Sequence, residues 1–222
     1  MTIDVNGITL FYQVTGGRAD GVPMLLLHGN GEDHHIFDAL TEKLTGDFSV
    51  YAVDSRNHGQ SEKTNDFAYQ TMMEDVYALI QALQLERVHV IGFSDGAIVG
   101  LLLAMNHREA VGKMALLGVN LKPDDFTEES YQYVKETYET TKDPLFKLML
   151  EEPNIEPEDI RGVNVPTLLV AAENDIFKPE LYTKLVDILP DATLKIMYGH
   201  DHGSYIMNTD TLYPDLISFF QQ

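Results

Sequence analysis

The sequence predicts an α/β protein: a mostly parallel, doubly wound sheet with one antiparallel hairpin at its edge. Three observations carry this expectation. Short, nearly continuous apolar runs recur along the chain, segments of helical periodicity lie between them, and the N-terminus alternates about an Asn-Gly pair. Continuous apolar runs suit parallel strands covered on both faces. Their alternation with helices is the pattern of a doubly wound sheet.

In chain order, residues 3–12 alternate around Asn6-Gly7, the strongest short-range hairpin signal because both residues tolerate the turn's positive φ. The buried-strand candidates are residues 24–27, 48–53, 88–91, 114–117, 168–172 and 194–197. Helical spacing of apolar residues marks 34–44, 71–83, 97–107, 179–189 and 211–220. One segment breaks the alternation. Residues 121–164 are polar and acidic, with Pro123, Pro144, Pro153 and Pro157 punctuating them. The segment is too long for a simple loop and too short for an independent domain. Residues 128–150 within it are expected to form one or two helices, with Tyr131, Tyr138, Leu145, Phe146 and Leu148 turned inward. The expectation is therefore a single domain, 1–222, carrying 121–164 as a small lid over the functional edge.

A chain of 222 residues can bury a full core. Its net charge of −20, from 35 acidic and 15 basic residues, repels nucleic acid and anionic membranes. Acids crowd residues 121–160, opposed only by Lys122, Lys135, Lys142 and Lys147. A solvated face is the ordinary reading of that crowding, and a cation-attracting rim is the sharper one. No apolar run approaches the ~20 residues of a membrane span. Met1-Thr2-Ile3-Asp4 lacks the basic and apolar regions of a secretory leader. The absence of cysteine excludes disulfides and thiolate chemistry. These features imply a cytoplasmic protein acting on a small molecule, with neither nucleic acid nor membrane as partner. The sequence leaves oligomeric state open.

Ser94 is the most informative residue. Around it, residues 88–99 read as a buried strand, a Gly-Phe-Ser-Asp-Gly turn and an apolar helix. In that context Gly-x-Ser-x-Gly predicts a nucleophile elbow. Gly92 and Gly96 leave room at a sharp turn, and the hydroxyl is lifted clear beside a helix N-terminus that favours developing negative charge. An ordinary helix N-cap serine is the weaker alternative.

Ligands of open parallel sheets bind beyond the carboxyl ends of the strands. Following the apolar runs, those ends carry His28-Gly29-Asn30-Gly31, the stretch from Asp54 to Ser61, Ser94, Glu173-Asn174-Asp175, and Gly199-His200-Asp201-His202. A nucleophile, an acid and a histidine thus fall on one edge.

On these residues the chain resembles the α/β-hydrolase superfamily over nearly its whole length. The resemblance rests on His28-Gly29, an Asp-x-Arg-x-His-Gly-x-Ser stretch ending at Ser61, the elbow, Ala172-Glu173-Asn174-Asp175, and the late Gly199-x-x-His202. Asn57 stands where glycine is usual, and Ala97 where another glycine is frequent. The lid segment is shorter than in many relatives, so substrate class does not carry over. The resemblance implies an α/β-hydrolase fold with a triad in the chain order Ser, Asp, His. Ser94 would be the nucleophile and Asp175 the acid, with Asp124 as the one rival. Aligning Tyr198-Gly199 with the family's Pro-Gly-x-Gly-His spacing favours His202 as the base over His200. The backbone N–H groups of Asn30 and Asp95 are the natural oxyanion donors. His28, Arg56 and His58 look like bracing residues.

His34, Phe37, Tyr131, Tyr138 and Phe146 are candidates to line the substrate pocket; for His34 and Phe37 helix surface or core packing is the default reading, and for the other three core packing is the alternative. The eight histidines show no metal-binding spacing and no phosphate-cradling loop precedes a lysine, so neither metal nor cofactor is expected. The activity implied is serine hydrolysis of a small ester-like substrate, with amide or thioester variants, through an acyl-enzyme. The same triad also serves carbon–carbon bond hydrolysis, perhydrolysis or acyl transfer, and a non-enzymatic ligand receptor is the remaining alternative. The Asp95 carboxylate, one residue from the nucleophile, is either a local hydrogen-bonding group or a subsite for a substrate ammonium.

Overall fold

The computed structural model describes residues 1–17 and 21–221. Strands β1 (Thr2–Val5) and β2 (Ile8–Thr15) form the expected hairpin, with Asn6 and Gly7 at φ 47° and 79° in its turn. Then follow β3 (Met24–Leu27), a 3₁₀ turn at His34–Phe37, α1 (Asp38–Leu44), β4 (Val50–Asp54), α2 (Tyr69–Ala82), β5 (Val88–Phe93), α3 (Asp95–Asn106) and β6 (Val111–Leu117). The interrupting segment holds α4 (Glu128–Thr141), α5 (Pro144–Glu151) and the single turn α6 (Pro157–Ile160). Strand β7 (Thr167–Asn174), α7 (Pro179–Ile188), β8 (Ala192–Asp201) and α8 (Tyr213–Phe220) complete the chain.

The eight strands form one sheet in the order β1-β2-β4-β3-β5-β6-β7-β8. Pairing is antiparallel for β1 with β2 and for β2 with β4, and parallel elsewhere. Helices cover both faces. One side buries α2, α3 and α7 with residues such as Leu79, Leu101 and Leu185, and the other buries α1 and α8 through Leu40 and Leu216. Central strands with two covered faces are apolar throughout, hence the unbroken run Met24–Leu27. The parallel strands end on a common edge, which carries every loop of the candidate site.

Two local features differ from the periodicity. The helix expected over 34–44 begins as a 3₁₀ turn, because Asp33 accepts from the His35 N–H and tightens the entry. The elbow helix starts at Asp95, directly after Ser94, two residues earlier than its apolar pattern suggests.

In the interrupting segment, Thr127 caps α4 by accepting from Ser130 N–H. Asp143 caps α5 by accepting from Leu145 N–H, with Pro144 in the first helical position. The inner face of the segment is continuous with the main core. Val134, Leu148, Ile155 and Ile160 are buried there, and Tyr131 and Phe146 pack half-buried against them. Tyr138 is half-buried beside the Lys142 ammonium, and Tyr133 is 65% exposed. Among the described residues no helix is long and apolar enough to cross a membrane.

Candidate active site

Ser94 sits between β5 and α3 at φ 52°, ψ −116°, a conformation that costs energy for a residue with a side chain. Surrounding contacts hold it there. Its N–H donates to Leu117 O at 2.8 Å, and its carbonyl accepts from Ala97 and Ile98. A Cβ on Gly92 would strike the Gly96 carbonyl, and one on Gly96 would strike the carbonyls of Leu27 and His28. Both motif glycines are therefore required by close backbone approach across the turn.

His202 follows β8 and faces Ser94. Its Nε2 lies 3.1 Å from Ser94 Oγ and its Nδ1 lies 2.7 Å from Asp175 Oδ1. An ionised carboxylate only accepts, so Nδ1 carries the proton and the Nε2 lone pair is turned to the serine hydroxyl. The ring is held between Phe93 and Phe177, with centroids at 5.0 and 5.4 Å. Gly118, at φ 62°, leaves room for it, since a side chain there would meet His202 Cε1 at 2.5 Å.

Asp175, in the loop after β7, receives four donors. Ile176 N–H and His202 Nδ1–H reach Oδ1, while Ala172 N–H and Tyr182 O–H reach Oδ2. Burial pushes this carboxyl up, but the hydrogen bond and charge of His202, with the two backbone donors, outweigh burial and hold it below the usual range. A groove of about 400 Å³ lies beside Asp175, lined by Thr127, Phe177 and Tyr182 among others. The rival acid Asp124 is exposed, and the Lys178 ammonium bonds its carbonyl. His200 turns to Ser204 Oγ at 3.0 Å. The structure thus brings Ser94, His202 and Asp175 into one hydrogen-bonded chain and leaves His200 and Asp124 out of it.

Asn30 and Asp95 also meet, through their side chains. Asn30 Nδ2 donates to Asp95 Oδ2 at 2.9 Å and to Leu145 O, at the start of α5, at 3.2 Å. Tyr69 O–H donates to Asp95 Oδ1 at 2.8 Å. The Asp95 carboxylate is buried and points away from solvent. Burial pushes it up to about 6, against the lowering effect of these two hydrogen bonds and of His202.

Behind the site, His28 Nδ1–H donates to Gly29 O at 2.7 Å, and its Nε2 accepts from Ser55 N–H at 3.0 Å. Arg56 makes a two-pronged contact with Asp75, Nε to Oδ2 at 2.6 Å and Nη2 to Oδ1 at 2.7 Å. His58 donates from Nδ1 to Arg56 O. The His28–Ser55 contact braces the loops after β3 and β4 against one another, and Arg56 ties the second of them to Asp75 of α2.

Two pocket candidates require correction. His34 is buried, with its N–H and Nδ1 both on Asp54 Oδ1. Phe37 is fully buried in the core cluster on the α1 and α8 side of the sheet. Neither lines a pocket, because the 3₁₀ turn points both side chains into the protein. Asp33, His34 and His35 bring potential ligand atoms within 4.8 Å of one another. Hydrogen bonds to His35 N–H, Asp54 and Asp38 already account for those side chains.

Glu32 and Tyr69 escaped sequence reasoning. Glu32 Oε2 accepts from Gly29 N–H at 2.9 Å and approaches Ser94. Its only signal was its place two residues beyond Asn30 in a loop already marked. Tyr69 carried no signal, since its contact with Asp95 spans 26 residues of sequence.

Comparison with known proteins agrees with the fold. The chain is 25% identical over 254 aligned positions to a putative carbamate hydrolase RutD from a Caulobacter species, covering 95% of each. It is 27% identical over 216 positions to human serine hydrolase BPHL, covering 83% of this chain and 73% of that protein. The solved enol-lactonase from Burkholderia xenovorans superposes with a TM-score of 0.84 at 20% identity, over the full length of both. The model of the alpha/beta hydrolase fold family matches residues 22–147, more than half of the chain. Sheet order, elbow and family match together place this chain in the alpha/beta hydrolase fold family.

Proposed function

We infer that the protein is a serine hydrolase that cleaves a small ester-like substrate through an acyl-enzyme. The observation that carries this reading is the hydrogen-bonded chain from Ser94 Oγ through His202, at 3.1 Å, to Asp175, at 2.7 Å. A hydroxyl is a weak nucleophile at neutral pH and needs a base positioned to take its proton during attack. His202 Nε2 is so positioned. As Ser94 Oγ attacks the carbonyl carbon, the proton passes to Nε2, and Asp175 stabilises the resulting imidazolium while keeping its orientation. The backbone N–H groups of Asn30 and Asp95 receive the oxyanion. His202 then protonates the leaving alcohol, and water activated by the same imidazole releases the acid. The two curated relatives carry hydrolase names, which supports hydrolysis over a purely receptive role. The segment 121–164 acts as the lid, with Tyr131, Tyr138 and Phe146 shaping the acyl side. A cysteine-free chain suits a reducing cytoplasm.

The test is labelling with a fluorophosphonate probe. Wild type should label, Ser94→Ala should not, and His202→Ala should lose most of the signal while His200→Ala keeps it. Labelling that survives Ser94→Ala would overturn the reading.

A further inference from the structure

Glu32 approaches the nucleophile from the loop after β3. The point where a Cβ on Gly29 would stand lies 2.8 Å from Glu32 Oε2 and 3.0 Å from Ser94 Cβ, so the carboxyl and the nucleophile flank one backbone position. The Gly29 N–H holds Oε2 there at 2.9 Å. The charged and titratable groups facing Glu32 are His202, Asp95 and Asp33. Both oxygens of Asp95 accept from Tyr69 and Asn30, and its carboxylate repels that of Glu32.

We propose that Glu32 sets the charge beside the nucleophile: neutral, it leaves the oxyanion formed by Ser94 attack unopposed, and ionised, it opposes that oxyanion. This rests on the serine-hydrolase reading above. Burial pushes the Glu32 carboxyl up to about 7, the hydrogen bond from Gly29 and the attraction of His202 acting against it, with Asp95 and Asp33 adding to the rise. The change of charge therefore falls in the range where the enzyme would work. The oxyanion is a full negative charge that the bound substrate lacks, formed together with the His202 imidazolium, so the charge on Glu32 bears on the chemical step more than on binding. Two unit charges about 6 Å apart at an effective dielectric near 20 correspond to a rate factor on the order of 100, and the attraction of the ionised carboxylate for the His202 imidazolium offsets part of it, leaving a factor on the order of 10. Glutamine in this position still accepts from Gly29 N–H and carries no charge, so Glu32→Gln separates the charge from any structural role.

The experiment is kcat/KM for p-nitrophenyl acetate, a neutral ester, followed from about pH 5.5 to about pH 9 in wild type and Glu32→Gln. Wild type should fall through about pH 7 on the alkaline side, by on the order of tenfold, and Glu32→Gln should hold its plateau. An alkaline fall retained by the variant overturns the proposal. A wild-type profile level to pH 9 also overturns it, and needs no variant should Glu32→Gln fail to fold. Fluorophosphonate labelling distinguishes the two levels of inference. Labelled Ser94 with a level profile removes the role of Glu32 alone, whereas unlabelled Ser94 removes the hydrolase reading and the proposal together.

Discussion

Asn30 and Asp95, 65 residues apart in sequence, join through Nδ2 and Oδ2 at 2.9 Å. This contact ties the loop after β3 to the nucleophile elbow. It also reaches the segment 121–164, because the same amide bonds Leu145 O at the start of α5. Tyr69 closes the arrangement from the other side: its hydroxyl holds Asp95 and its N–H donates to Glu152 Oε2, just after α5, at 3.1 Å. Asp95 thus links the elbow to two residues that each also touch the segment 121–164.

Tyr69→Phe should lower stability by about 1–3 kcal/mol, because it leaves a buried carboxylate oxygen without its donor. Urea denaturation measures the loss. Asp95→Asn should reduce kcat/KM equally for an amino-acid ester and its des-amino analogue, since both oxygens of Asp95 turn to Tyr69 and Asn30. If wild type prefers the ammonium-bearing ester and the variant does not, Asp95 is instead a subsite for that cation.

Asp175→Asn presents an amide to His202 and favours the wrong tautomer, and it sets the same NH2 against the Ile176 N–H. By analogy with other triads, kcat should fall on the order of 10⁴-fold. Asp124→Asn, at an exposed position, should behave as wild type. Steady-state kinetics on one ester settles both, and a loss below about tenfold in Asp175→Asn transfers the role to another acid.

His28 should make the fold acid-sensitive well above the carboxylate range. Its Nε2 accepts from Ser55 N–H, so protonation would set two donors against each other. Burial, with His58 adding to it, lowers its pKa to about 4. The folded form then binds fewer protons than the unfolded one. Stability from this group is complete above about 6.5 and is lost as pH falls toward about 4, on the order of 3 kcal/mol across that window. NMR titration of the His28 ring checks it directly, and a midpoint near the free-imidazole value would refute the assignment.

Much of the site was legible because its signals are local. A hairpin turn needs residues tolerant of positive φ, and Asn6-Gly7 announces one. An elbow needs two glycines around a serine between a strand and a helix, and residues 92–96 supply them. Strand ends converge on one edge in any parallel sheet, so the loops of Ser94, Asp175 and His202 were placed together before any distance was known. For His34 and Phe37 the ordinary reading, packing, holds over the pocket one, and periodicity could not choose because it does not say which way a short 3₁₀ turn faces.

The sequence by itself determined the order of strands and helices, the elbow, and the loops that carry Ser94, Asp175 and His202, since each depends on neighbours a few residues away. Tertiary structure decided which histidine meets Ser94, what surrounds Asp175, and where the carboxylates of Asp95 and Glu32 point. Those outcomes depend on desolvation and on donors brought from distant segments, such as Tyr69 O–H to Asp95 and Tyr182 O–H to Asp175. A buried carboxylate takes its charge and direction from the groups packed around it. Only the folded chain brings those groups together.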